Sequence, residues 1–112
     1  MSRPSATVAK RDPVPVFAAL GDTNRLMLVL TLRDGQSRSI SRLTSDFRMS
    51  RQAITKHLHV LEQAGIVRSR RVGRENHFSY VPEPIEDVRS YLDRVCEEWD
   101  DALSRLKSFV ED

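Results

Sequence analysis

The sequence predicts a mainly α fold with a small β-hairpin, built from about five helices, and three observations carry that prediction. Apolar residues recur at helical steps through several short segments between Pro13 and Ala64. Two short stretches, Ile66–Val72 and His77–Val81, then flank the turn residues Gly73-Arg-Glu-Asn. Finally, an unbroken heptad pattern runs from Ile85 to Phe109.

Taken in order, residues 1–12 carry charge without an apolar stretch and are expected to form a disordered tail. Residues 13–112 are expected to make one domain. Pro13 and Pro15 suit the first turn of a short helix carrying Val16, Phe17, Ala19 and Leu20, which Gly21 ends. Asp22 or Thr23 caps a second helix with Leu26, Met27, Val29 and Leu30 on its apolar face, which can extend to Leu32. Gly35 then serves as a left-handed cap. Ser39 or Ser41 starts a third helix, with Ile40, Leu43 and Phe47 inward. Ser50 caps a fourth, from about Arg51 to Ala64, whose inward stripe is Ile54, Leu58 and Leu61; Gly65 closes it. The hairpin follows.

Pro82 and Pro84 open the last helix, over about residues 84–111. Its apolar positions are Ile85, Val88, Leu92, Val95, Trp99, Ala102, Leu106 and Phe109, widened by Tyr91, Leu103 and Val110. Such a helix is about 40 Å long, more than a domain this size covers by itself. A chain of 112 residues buries only about two thirds of its unfolded surface and gains from a partner subunit. We therefore read this helix as a dimerisation element rather than a cap on its own domain.

Charge is unevenly placed. The net value is +2, but residues 1–81 hold 14 Lys/Arg against 6 Asp/Glu, whereas residues 82–112 hold 4 against 10. From Arg48 to Arg74 there are seven basic residues and one acid, Glu62. That distribution attracts a polyanion.

The fourth helix and the hairpin say which one. With Ile54, Leu58 and Leu61 inward, Arg51, Gln52, Thr55, Lys56 and His59 lie on the other side, mostly in the N-terminal half. In a helix-turn-helix that half reaches base edges in the major groove. Arginine matches guanine O6 and N7, and glutamine matches adenine N6 and N7. Thr55 suits a thymine methyl or a phosphate, Lys56 a phosphate, and the Ser50 cap leaves a helix N-terminus that favours phosphate. Any surface helix has a polar outer face, so the hairpin decides. Arg68 and Arg70 share one strand face, while Arg71 and Arg74 lie toward the tip. Four arginines on so small a ribbon repel one another unless they grip phosphates or a minor groove. The fold is thus a winged helix-turn-helix, and the expected partner is a double-stranded DNA operator.

The residues also resemble a known family. Phe17 to Leu26 (Phe-Ala-Ala-Leu-Gly-Asp-Thr-Asn-Arg-Leu) is similar to the opening signature of the ArsR/SmtB bacterial regulators. Ser50 to Val67 resembles their recognition helix and following strand, Val72-Gly-Arg-Glu their wing, and Pro82-Glu-Pro the step into their last helix. The resemblance covers about residues 14–110. It implies a homodimer through the first and last helices. Here that places Phe17, Leu20, Ile85, Val88, Leu92, Val95, Trp99, Leu103 and Leu106 at the dimer interface. It also implies repression by occupancy of a palindromic operator, with release by an inducer, here a small molecule of unknown chemistry.

The chain departs from the family where many members bind metal. The stretch Ser41-Arg-Leu-Thr-Ser-Asp-Phe holds no cysteine, and residues 78–112 hold no histidine. Both familiar metal sites are therefore absent, and we expect no metal and no cofactor. Cys96 is the only cysteine, so no disulfide or two-thiolate zinc site forms within one chain. It reads as a small apolar filler beside the heptad seam rather than a thiol sensor. Trp99 reads as an interface anchor. His57 reads as a packing or hydrogen-bonding residue at the core edge. His77 reads as wing surface.

Two other classes compete. An enzyme is disfavoured by the lack of a glycine-rich phosphate loop or a redox cysteine pair. A protein-interaction winged helix is disfavoured by the basic fourth helix and wing. No run approaches the ~18 apolar residues of a membrane span, and no apolar leader is present, so a cytoplasmic, non-membrane protein is expected.

Overall fold

The computed structural model describes residues 12–111. The expected tail lies outside the described residues except for Asp12, whose carboxylate accepts the Val14 N–H at 3.0 Å. Five helices and a three-stranded sheet follow, in the order α1 (Val14–Leu20), α2 (Thr23–Leu32), β1 (Arg38–Ser39), α3 (Ile40–Phe47), α4 (Arg51–Gln63), β2 (Val67–Val72), β3 (Glu75–Tyr80) and α5 (Glu83–Glu111).

The helix starts follow from side-chain caps. Asp22 rather than Thr23 caps α2, accepting the Arg25 N–H at 3.1 Å. That bond is the main reason its carboxyl sits below the ordinary range; desolvation opposes it, and nearby His57 adds a smaller pull downward. Ser39 rather than Ser41 caps α3, through the Arg42 N–H, and Ser50 caps α4 through the Ala53 N–H, both at 3.1 Å. The turn between α3 and α4 closes on Arg48, which is left-handed (φ 54°) without being glycine. No sequence cue announces it, because Asn and Gly are the residues that advertise this conformation.

The strand β1 is also absent from the sequence expectation, being only two residues long. It pairs antiparallel with β3, giving the order β1-β3-β2, with Ser39 opposite His77. It is held by the loop before it. The Arg38 guanidinium donates to both Asp34 carboxylate oxygens, at 3.1 and 2.7 Å, and to the carbonyls of Thr31 and Gln36. This clamp fixes the α2–β1 connection around Gly35 (φ 87°).

Leu28, Leu32, Leu43, Ile54, Leu58, Leu61 and Ile66 are fully buried, and Phe78 of β3 closes the core beside them. His57 faces α2, with Nδ1 3.8 Å from the Asp22 carboxylate, so it sits at the core edge as expected.

The last helix divides into two parts. Pro84 and Val88 are buried, and Ile85 packs on the domain core. Tyr91 meets Phe17 of α1 edge-on, ring centroids 6.5 Å apart. Of the expected seam, Val88 is a core residue of its own chain, and the partly buried Ile85 and Leu20 pack against that same core. Beyond Val95 the helix leaves the domain, and the molecule reaches 68 Å along its longest axis. Trp99, Leu103, Leu106, Phe109 and Val110 are 55–81% exposed.

The Arg38 hydrogen bonds hold Asp34 well below the usual 3.8, at about 2. A depressed carboxyl pKa contributes stability that is complete above 3.8 and is lost as pH falls through 2. Asp34→Asn is therefore expected to flatten the acid-induced loss of thermal stability between pH 4 and pH 2, read as melting midpoints against pH.

Candidate nucleic-acid interface

The burial of Ile54, Leu58 and Leu61 fixes which side of α4 faces out. Arg51, Gln52, Lys56 and His59 are exposed on it, and Thr55 is half-buried. Arg51, Gln52, Thr55 and Lys56 line one shallow depression. The Thr55 hydroxyl donates to the Arg51 carbonyl at 2.8 Å, which leaves its methyl and its lone pairs for a partner. Lys56 and Gln52 have no hydrogen-bond or ionic partner among the described residues, so their polar ends face solvent.

The wing is joined to this helix at two places. Near the C-terminus of α4, Ser69 of β2 donates to Glu62 at 2.7 Å. Near its N-terminus, Arg51 Nη1 donates to Ser41 Oγ at 3.1 Å, and Ser41 donates to Glu75 Oε1 at 2.7 Å. In the sequence Ser41 reads only as an alternative cap, and Glu75 only as a turn residue. No local pattern reveals pairings 10 and 34 residues apart.

The four wing arginines do not form one surface. Val67, Ser69 and Phe78 lie on the side of the sheet that faces the core and α4. By the two-residue period, Arg68 and Arg70 lie on the other side, opposite Ser79 and His77. These four line a groove together with Ser37, Ser69 and Val72. Arg71, opposite Asn76, shares the side of Ser69 and Phe78, and its Nε folds back to the Gly73 carbonyl at 3.2 Å. Arg74 stands in the turn beside Gly73, whose φ of 62° admits few side chains. The register thus puts Arg71 on one side of the wing and Arg68 and Arg70 on the other, with Arg74 in the turn.

Among the described residues, no group of three or more His, Cys, Asp or Glu side chains is placed to hold a metal ion. No described helix is long and apolar enough to cross a membrane. Cys96 is a free, exposed thiol on α5.

Comparison with known proteins finds relatives of the same fold. A family model described as a helix-turn-helix domain matches residues 20–70. The HTH-type transcriptional regulator Rv2034 of Mycobacterium tuberculosis is 30% identical over 101 residues, spanning 90% of this chain and 91% of the relative. The structure of an ArsR-like transcriptional regulator from Rhodococcus sp. RHA1 superposes with a TM-score of 0.77 at 35% identity, covering 94% of this chain and 96% of its own. The homodimeric winged helix-turn-helix DNA-binding domain Mb0332 of Mycobacterium bovis shares the fold at a TM-score of 0.61 and 24% identity, over 88% and 92%.

Arg71 and Arg74 generate a measurable expectation. Their joint replacement by alanine should weaken binding to duplexes of any sequence. It should also flatten the dependence of log K on log salt by about 0.9 for each phosphate no longer neutralised. Titrations of a random-sequence duplex from low to high salt read that slope.

Proposed function

This chain belongs to the ArsR-like winged helix-turn-helix transcriptional regulators, which are DNA-binding proteins and not enzymes, and from that premise we propose that it is a repressor occupying a palindromic operator as a homodimer. One observation carries the proposal. The outward side of α4 presents Arg51, Gln52, Thr55, Lys56 and His59, with the buried stripe of α4 locking its orientation, and the wing that follows it carries Arg68, Arg70, Arg71 and Arg74. In this reading Arg51 and Gln52 read base edges in the major groove. Ser50, Thr55, Lys56 and His59 hold the backbone, and Arg71 and Arg74 take the adjacent phosphates. Arg68 and Arg70 extend the phosphate-binding surface on the wing's outer side. A regulator that acts by covering its site needs no catalytic group.

The homodimer is supported by the far part of α5. Leu92, Trp99, Leu103 and Leu106 form an exposed apolar strip along a helix that its own domain cannot cover, with Val95 half-buried among them and Phe17 at its near end. Leaving that strip in water costs roughly 25 cal/mol per Å² of apolar surface that a second copy would bury. The structurally similar Mycobacterium bovis domain is homodimeric. A two-fold dimer carries two copies of α4 and so matches an inverted repeat, with half-sites about 34 Å apart. A small-molecule inducer belongs to the same proposal, as does residence in the cytoplasm, where the DNA is.

Selection from a random duplex library tests this reading. The enriched sequences should form an inverted repeat, and Gln52→Ala should relax preference at one position per half-site by about 1–3 kcal/mol. Replacing both Leu92 and Trp99 with Asp should give a monomer in sedimentation and a loss of operator affinity with the domain still folded. A double variant that remains dimeric would move the interface elsewhere.

A further inference from the structure

We propose that Ser41 and Glu75 are positioning residues for base recognition, holding the Arg51 guanidinium in one orientation and joining the wing to the reading helix. The inference rests on the reading that α4 enters the major groove, and it adds two residues that neither the helical periodicity of α4 nor the placement of basic charge picks out.

The three groups come from three elements. Arg51 stands in the first turn of α4, Ser41 in the first turn of α3, and Glu75 at the start of β3, next to the wing turn. Arg51 Nη1 donates to Ser41 Oγ at 3.1 Å, and Ser41 Oγ donates to Glu75 Oε1 at 2.7 Å. A hydroxyl has a single proton. Once Ser41 gives it to Glu75, only its lone pairs face Arg51, so the chain has one direction, ending in a carboxylate that strengthens both bonds. The Nε–H and Nη2 edge of Arg51 has no partner among the described residues, and it is a two-donor edge of the kind that pairs with guanine O6 and N7.

An exposed arginine samples many rotamers, and contact with a base freezes them. A guanidinium held beforehand loses less on binding. The charge of Glu75 leads to the same role. A carboxylate on a surface that meets phosphates weakens attraction to DNA of every sequence equally. Its gain must therefore appear in discrimination, and the Ser41 bond provides the route. Because Glu75 is part of the wing, wing placement and base reading become one event instead of two.

The test compares duplex selections by the wild type, Arg51→Ala, Ser41→Ala, Glu75→Ala and the conservative Ser41→Thr, using the full chain and one random duplex library. Arg51→Ala identifies the base position that Arg51 reads. Ser41→Ala and Glu75→Ala are expected to lose about fivefold of the preference at that same position. A variant carrying both Ser41→Ala and Glu75→Ala should lose no more than either single one, and Ser41→Thr should keep the wild-type preference. Affinity for random duplex should be unchanged or higher in Glu75→Ala, and melting midpoints unchanged in all, which separates positioning from folding. Wild-type preference at the Arg51 position in both alanine variants overturns the inference and leaves the regulator reading standing. A wild type that selects no consensus, or an Arg51→Ala variant that shifts no position, overturns the reading of α4 and the inference together.

Discussion

The burial of one stripe of α4 governs the rest of the molecule. Ile54, Leu58 and Leu61 are sealed into the core between α2, α3 and the sheet. A helix with three successive turns pinned in this way has no rotational freedom about its axis. Which side chains α4 presents to solvent is therefore settled by packing, before any polar contact forms. The capping hydroxyls of Ser39 and Ser50 add the axial limit, fixing where α3 and α4 begin. Rigid presentation of this kind is what makes base discrimination attainable, since a loosely held helix would lose in ordering what it gained in hydrogen bonds.

Around that fixed helix the polar contacts have different jobs. Arg42 and Asp46 pair on the surface of α3 at 3.0 Å, an exposed i,i+4 pair that adds little stability but removes a positive charge from the field. Arg38 is engaged by the Asp34 clamp. Much of the remaining basic surface comes from α4 and the wing, and the wing itself is two-sided, with Arg71 on one face and Arg68 and Arg70 on the other.

Much of this was legible in the sequence. Helical spacing of Ile54, Leu58 and Leu61 sufficed to orient α4, and Ser50 marked its start, because both signals are local and repeat within a few residues. The heptad steps marked the last helix. What was not legible depends on pairing across distance. The strand β1 has only two residues, too few for any alternation to register, and exists because Arg38 folds the loop before it. The period of two put Arg68 and Arg70 on one strand face, but nothing local says which face packs on α4; Phe78 and the Ser69–Glu62 bond decide that. Likewise the heptad seam looks uniform as a string, whereas Val88 is consumed by its own core and Trp99 is not. Left-handed Arg48 was invisible because its conformation is imposed by the helices on either side rather than chosen by the residue.

The split of charge between the two ends of the chain has a consequence for encounter kinetics. The strongly acidic α5 projects from a domain that is otherwise rich in cations. In the field of a polyanion such a molecule experiences a torque, turning its cationic side inward and its terminal helix outward while still at a distance of about a Debye length. Approaches with the wrong side leading are thereby turned away early. The search is narrowed to approaches in which the cationic side leads.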